Sequence, residues 1–422
     1  MRQTIALIIL EQQNSYWIMN NRTPTLAPQQ SGETTLRQWL SVFAVALGAF
    51  AFVTSEFLPV GLLTQIARDL GVTTGTAGLM VTTPAVMAAI FAPGLMVFAG
   101  RMDRRFAFLL LTAMLLASNL VSALATHFTI MLIGRAMLGA ALGGFWTLAT
   151  AAAGRLVHAS DAARATAIIL TGVTFATVIG VPLGTFIASF ASWRMSFFVT
   201  GGLVTVALVA QVLLVPPLPS AAALRIADFV TLLSRPHTRL SMLMVALVFG
   251  AHFSTYTFIT PLLLHDFAMS AITLLLLAFG VIGFFSNALT SIVVAKRLKT
   301  SVAVMTTLLL GALSTMLLFD HSRIAEIAAM LMWGIAFGAL PLCFSVWIQH
   351  GTADLPEAGS AMFVSVIQVA IALGSLVGGE IVDRAGVRTD LVLGCGLAVL
   401  GLVILQRLAA MERPAKVPAL QC

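Results

Sequence analysis

Glu56 is an acid set in an apolar run, Phe50-Ala51-Phe52-Val53-Thr54-Ser55-Glu56-Phe57-Leu58-Pro59. Burial disfavours the charged form of a carboxyl group. An acid so placed can bind and release a proton as its surroundings change. Its counterpart is Arg135, in Leu132-Ile133-Gly134-Arg135-Ala136-Met137-Leu138-Gly139. A guanidinium stays protonated in any protein environment. If both runs are helices crossing one apolar layer, Glu56 lies about 14 Å and Arg135 about 10 Å from the same surface, at about 1.5 Å per residue. The expected arrangement is an ion pair that keeps Glu56 charged while the helices are close and lets it protonate when they shift. A fixed structural salt bridge would use the same geometry, and a carboxylate reaching out to the interface is the plainer reading of Glu56 alone. No Ser-His-Asp order, metal-ligand spacing or phosphate-binding loop occurs, and Cys343, Cys395 and Cys422 make no disulfide framework. The chain is therefore expected not to be an enzyme and to need no metal or cofactor.

A second set of polar and aromatic residues lies in the apolar runs: Thr54, Asn119, Trp146, Thr174, His252, Tyr256 and Gln368. His252 and Tyr256 are four apart and share a helix face. Singly, such residues are usually helix–helix hydrogen bonds. Together they suit a cavity for an uncharged polar or amphipathic solute. In the turn Gly100-Arg101-Met102-Asp103-Arg104-Arg105, the acid Asp103 beside Arg104 and Arg105 is expected to latch neighbouring loops. The matching turn, Ala295-Lys296-Arg297-Leu298-Lys299, has no acid. Pro59 and the stretches Gly180-Val181-Pro182-Leu183-Gly184 and Gly374-Ser375-Leu376-Val377-Gly378 are expected to serve as hinges and close packing points, with Pro182 breaking its helix.

These residues need a scaffold, and the composition says which. Hydrophobic residues make up 59% and charged residues 9% of the 422, whereas a soluble protein carries roughly 25% charged residues. So much apolar surface requires lipid. Twelve continuous apolar runs, each near the ~20 residues that a membrane helix needs, lie at about 39–65, 76–99, 106–125, 129–150, 165–188, 194–215, 240–264, 271–294, 301–319, 327–348, 361–382 and 389–408. With a cytoplasmic N-terminus, 17 of the 23 Lys and Arg fall in inside segments, five outside and Arg135 within a span. The positive-inside rule then puts both termini in the cytoplasm, and the net charge of +7 needs no nucleic-acid partner.

The domain reading is a disordered tail over 1–38 (Met19 being an alternative start), a six-helix bundle over 39–215, a linker over 216–239 opened by Pro216-Pro217-Leu218-Pro219, a second bundle over 240–408, and a tail over 409–422. Ala223–Leu233 is expected to be a short surface helix. The bundles repeat each other: Gly48-Ala49 leads, eleven positions on, to Pro59, and Gly250-Ala251 leads likewise to Pro261, an offset of 202. At that offset Glu56 falls opposite Phe258, and aligning Gly139 with Gly338 puts Arg135 opposite Gly334. Repeats of this kind enclose a central site about which two bundles rock. On this reading proton handling belongs to the first bundle, and the second has no deep charge.

The turn Gly100–Arg105, Arg135 with Gly139, and Gly180–Gly184 resemble the signatures of the major facilitator superfamily, over roughly residues 36–410. The turn departs from the fuller form, with Phe106 and Ala107 where a glycine and a base are usual. The span-five motif is similar to that of the drug:proton antiporter-1 family. Ser55–Leu63, Gly139–Trp146 and Trp333–Pro341 resemble its bacterial purine-ribonucleoside and sugar-efflux branch. The resemblance implies an all-α fold of twelve transmembrane helices in two pseudo-symmetric six-helix bundles, in the bacterial inner membrane, acting as a monomer on a small-molecule substrate and protons. It implies proton-coupled export by alternating access, with purine ribonucleosides as the first candidate. Sugar or multidrug efflux, proton-coupled import and, remotely, a non-transporting sensor stay open.

Overall fold

The computed structural model describes residues 34–98, 103–217, 226–319 and 322–411. The Gly100–Met102 part of the first turn, most of both tails and residues 218–225 of the linker lie outside the described residues. Among the described residues, twelve helices are long and apolar enough to cross a membrane. They are α1 (Leu36–Asp69), α2 (Leu79–Phe98), α3 (Arg104–Ala123), α4 (Phe128–Leu156), α5 (Ala162–Phe190) and α6 (Trp193–Leu214), then α7 (Pro236–Tyr256), α8 (Met269–Val293), α9 (Leu298–Leu318), α10 (Arg323–Gly351), α11 (Pro356–Ala385) and α12 (Val387–Met411). A one-turn helix, Thr74–Ala77, precedes α2, and a short helix, Ile226–Ser234, lies in the linker close to where the sequence places one.

Local chemistry starts these helices. Thr35 and Gln38 form a reciprocal capping box on α1. Asp103, Ser192 and Ser322 accept from backbone N–H groups at the starts of α3, α6 and α10. Pro236 and Pro356 open α7 and α11, where the missing N–H costs nothing. Large apolar side chains such as Phe186, Val206, Leu213, Leu274, Leu289 and Ile292 stay exposed, which is the surface a bilayer would cover.

In the first half α1 packs on α5 and α6, α2 on α4, and α3 on α4 and α6. In the second half α7 packs on α11 and α12, α8 on α10, and α9 on α10 and α12. The pattern repeats with every helix moved on by six. Glycines permit the closest approaches. A Cβ on Gly139 of α4 would lie 2.2 Å from the Pro84 carbonyl oxygen of α2, and one on Gly338 of α10 would lie 2.2 Å from that of Gly283 on α8. Gly180 and Gly184 rest on Thr54 and Leu58 of α1, while Gly374 and Gly378 rest on Gly250 and Ser254 of α7.

One expectation needs correction. Pro182 does not break α5, which runs helical from Ala162 to Phe190. The carbonyl that Pro182 leaves without its helix donor is that of Val178, and it lies where α5 meets Gly280 of α8. The second half also holds a buried acid that the sequence does not single out: Asp390, in the first turn of α12, is fully buried at the edge of its span.

Candidate functional site

The halves meet along α2–α11 and α5–α8, and most cross-half contacts lie on the side away from the chain termini, here the far side. There the Asp383 carboxylate of α11 accepts from Gly75 N (2.7 Å), Thr76 N (3.2 Å) and the Thr73 hydroxyl. One acid of the second half thus caps a helical turn of the first, where N–H groups lack partners. The buried Phe258 ring rests between Gly78 and Gly379. Thr260 donates to the Val60 carbonyl at 2.9 Å, and Thr273 of α8 donates to the Thr185 hydroxyl of α5 at 2.9 Å. The far side is sealed.

Beneath the seal lies Glu56, 5% exposed, and beside it Arg135, 1% exposed. The expected ion pair does not form. The guanidinium donates instead to three backbone carbonyls: Nε to Met80, Nη1 to Ser55 and Nη2 to Glu56, each at 2.7 Å. Two prolines explain this. Pro59 has no N–H to give to the carbonyl four residues back, which is that of Ser55, and Pro84 has none for Met80. Arg135 supplies the donors both prolines lack, so one side chain on α4 ties α1 to α2. Its charge still acts on the Glu56 carboxyl, which the Gln368 side chain reaches from α11. Gln368 belongs to the other half, so Glu56 stands between a cation of its own bundle and an amide of the opposite one. Asn119 adds a third tie, donating from Nδ2 to Ser55 Oγ (3.0 Å) and to the Leu115 carbonyl (2.9 Å).

In the second bundle the equivalent region is aromatic and uncharged in its contacts. His252 is buried, and the Trp333 indole N–H donates to its Nδ1 at 2.9 Å. That bond requires Nδ1 to carry a lone pair, so a neutral ring bears its proton on Nε2. His252 stacks on Phe337 and on Tyr256, and Tyr256 stacks on Phe279. Phe57 of α1 stacks on Phe253 of α7, with ring centroids 5.8 Å apart, and joins this cluster to the first half.

The remaining sequence-predicted residues are more scattered. Thr54 is buried against Gly180, with no hydrogen-bond partner for Oγ1. The Thr174 hydroxyl is satisfied within α5 by the Leu170 carbonyl (3.1 Å). Trp146 is half-buried and packs edge-on against Phe145 in the core of the first bundle. On the termini side Asp103 caps α3 through Arg105 N (2.7 Å), and Arg105 donates to the Val212 carbonyl of α6 (2.7 Å), within its own half. Arg104 opens α3. Sequence reasoning passed over Pro84, Trp333 as the partner of His252, and Asp383. Pro84 was the one with a readable signal, since a proline within a membrane helix always leaves a carbonyl in need of a donor.

Comparison with known proteins agrees with this architecture. The Major Facilitator Superfamily model matches residues 45–374. The chain is 34% identical over 364 residues to the purine ribonucleoside efflux pump NepI of Salmonella typhimurium (strain LT2), covering 86% of this chain and 92% of that protein. It is 33% identical over 369 residues to the NepI of Salmonella enteritidis PT4, covering 87% and 93%. Among solved structures, the nucleoside transporter NupG superposes with a TM-score of 0.72 at 14% identity, over 89% of this chain and all of that one. The human organic anion transporter MFSD10 (TETRAN) superposes with a TM-score of 0.64 at 18% identity, over 87% and 99%. At such identities these two speak for the fold alone. With its twelve spans and a family match over most of its length, the chain belongs to the Major Facilitator Superfamily and is a multi-pass membrane transporter, not an enzyme.

Proposed function

We propose that the chain exports a nucleoside-like solute in exchange for protons, by alternating access, across a bacterial inner membrane with both termini in the cytoplasm. The observation that carries this reading is Glu56: a carboxyl group buried at the junction of the two halves, in the field of Arg135 of its own bundle and close to Gln368 of the opposite one. An intramembrane acid in such a place marks a functional site by default, and proton relay is one of the roles such acids take. Arg135 is the fixed charge against which it titrates. Rocking of the bundles moves Gln368 relative to Glu56, and this links the proton to the state of the central site.

His252, Tyr256 and Gln368 form the recognition surface in the second half, with Trp146, Thr54 and Thr174 contributing from the first. Stacked rings favour a planar heteroaromatic ligand, and a neutral imidazole and an amide offer it hydrogen bonds. The naming of the Salmonella relatives as purine ribonucleoside efflux pumps supports the same class. Asp103, Arg104 and Arg105 close the cytoplasmic side when the far side opens.

The test is pH-gradient-driven efflux of adenosine and inosine from proteoliposomes. Glu56→Gln should abolish gradient-driven transport and leave substrate counterflow measurable, because counterflow needs no net proton movement. Full gradient-driven efflux by Glu56→Gln would overturn the carrier assignment.

A further inference from the structure

The turn Ala295–Lys299, joining α8 to α9, is the acid-free counterpart of Gly100–Arg105. It forms one wall of a cleft of about 670 Å³ on the termini side. Lys296, Arg297 and Lys299 line that wall, and His237 at the start of α7 with Trp347 and His350 near the end of α10 line the other; among the described residues no Asp or Glu is in the lining. The aromatic wall is built. His237 and Trp347 stack nearly parallel, with centroids 6.4 Å apart, and the Trp347 indole donates to Ser241 Oγ at 2.9 Å, which fixes the ring. The neighbouring acid, Asp354, is committed elsewhere: Arg235 donates to its two carboxylate oxygens at 2.9 and 2.6 Å. One turn before the basic wall, Leu289, Ile292 and Val293 of α8 are exposed apolar side chains. The cleft therefore lies where a hydrocarbon-facing helix meets a concentration of positive charge.

We propose that this cleft binds the phosphate headgroup of an anionic phospholipid, whose acyl chains lie along Leu289 and Ile292. Orientation by charge asks only for scattered bases on the cytoplasmic side. It does not ask for a recess with three bases on one wall, fixed rings on the other and lipid-facing side chains at its edge. Basic recesses between spans on the cytoplasmic side are the usual seats of anionic headgroups, and guanidinium and ammonium groups hold a phosphodiester by charge-assisted hydrogen bonds. Free phosphate would meet the same bases but gain nothing from the apolar edge. A lipid seated here touches α7, the α8–α9 turn and α10 at once, and so stiffens the termini side of the second bundle.

Native mass spectrometry of the full-length protein in detergent tests this, with phosphatidylglycerol, phosphatidylcholine and inorganic phosphate as probes. The wild type should retain one phosphatidylglycerol in preference to phosphatidylcholine. K296Q/R297Q/K299Q should weaken that binding by about a hundredfold, the scale set by three bases near a charged surface. R37Q/R164Q/R407Q removes three bases from the same side away from the cleft and should keep the preference. Leu289→Ser/Ile292→Ser leaves every base in place and should weaken phosphatidylglycerol as well; it serves if the triple variant fails to insert. Equal loss in the remote triple variant would reduce the effect to bulk charge and overturn the site. Displacement of the lipid by inorganic phosphate at equal concentration would overturn the lipid assignment.

Discussion

The first helices of the two bundles meet the same obstacle and answer it differently. Each carries a proline eleven residues beyond a Gly-Ala pair, Pro59 in α1 and Pro261 past α7. α1 passes Pro59 and stays helical to Asp69, whereas α7 ends at Tyr256 and helix resumes only at Ile259–Leu263. Proline withdraws the donor from the carbonyl four residues back, Ser55 in one case and Thr257 in the other. Arg135 gives Ser55 a new donor. Opposite Arg135 the second bundle has Gly334, which has no side chain to give one. A single buried arginine thus replaces the donor that Pro59 withdraws in the helix that stays whole, and the consequence is functional. The intact helix holds Glu56 at the junction of the halves, while the broken one turns Phe258, the residue opposite Glu56, into the far-side seal.

Removing Arg135 is the strongest way to break this comparison. Arg135→Gln leaves the Ser55 and Met80 carbonyls buried without donors, at about 1–3 kcal/mol each. A loss of roughly 3 kcal/mol or more is expected, measured as a lower melting temperature in detergent. Pro59→Ala restores the N–H that Ser55 lost. In that background Arg135→Gln should cost about 1–2 kcal/mol less. If the two substitutions were additive, Arg135 would not be serving the proline carbonyl, and the contrast between α1 and α7 would need another cause.

Pro261→Ala approaches the comparison from the other side and should have a smaller effect. It returns an N–H to α7 and recovers part of the ~3 kcal/mol by which proline disfavours a helix interior. An extended α7 would withdraw Phe258 from Gly78 and Gly379 and Thr260 from Val60. The readout is labelling of Thr257→Cys, with Cys343, Cys395 and Cys422 replaced by serine, using an impermeant maleimide from the far side. Labelling should become several-fold faster, while the melting temperature holds or rises. Unchanged labelling would mean that the seal does not depend on the break. Asp383→Asn should act in the same direction by weakening the cap on Gly75 and Thr76, at about 1 kcal/mol, as for other N-caps.

The sequence carries the coarse features of this contrast and loses the fine ones for identifiable reasons. Twelve spans and the repeat are visible because lipid demands long apolar runs and because Gly48, Pro59, Gly250 and Pro261 keep their spacing. Glu56 and Arg135 stand out because charge in such runs is rare. What they do to each other is less visible. Depth along two helices matched them as an ion pair, but depth is blind to backbone carbonyls, and the guanidinium's fork is filled by those of Met80, Ser55 and Glu56. Asp390 was missed because it falls at the edge of an apolar run, where an acid reads as interfacial. Asp383 was missed because its partners, Thr73 to Thr76, are more than 300 residues away in the chain.

A milder test concerns the aromatic centre of the second bundle. Trp333→Phe keeps an aromatic ring, though a smaller one that leaves a void, and removes the donor to His252 Nδ1, leaving a buried acceptor unpaired. The lost hydrogen bond is expected to cost about 1–2 kcal/mol, with the void adding to it. If His252 belongs to the recognition surface, the apparent KM for nucleoside counterflow should rise as well. A stability loss with unchanged KM would confine the pair to the core.

The smallest expected effect lies at the near ends of the same two helices. α1 begins with the neutral Thr35–Gln38 capping box, whereas α7 begins beside an exposed ion pair, Arg235 with Asp354. Hydrogen bonding to Arg235 holds the Asp354 carboxyl down at about 2. A carboxyl lowered in the folded state adds stability above its unfolded pKa, and that contribution is lost as pH falls through the folded value. The anchor of α7 should therefore be complete at neutral pH, begin to weaken below about pH 4, and be gone by about pH 2, whereas that of α1 should not respond. Exposed pairs contribute little, so the comparison is made by difference: melting temperatures of the wild type and Asp354→Asn between pH 7 and pH 3. The gap should narrow towards pH 3, and 1 M salt should narrow it at neutral pH by screening. In Thr35→Ala the gap from wild type should stay constant over the same range. A gap for Asp354→Asn that widened on acidification would reverse the sign, and α7 would then be anchored by something other than this pair.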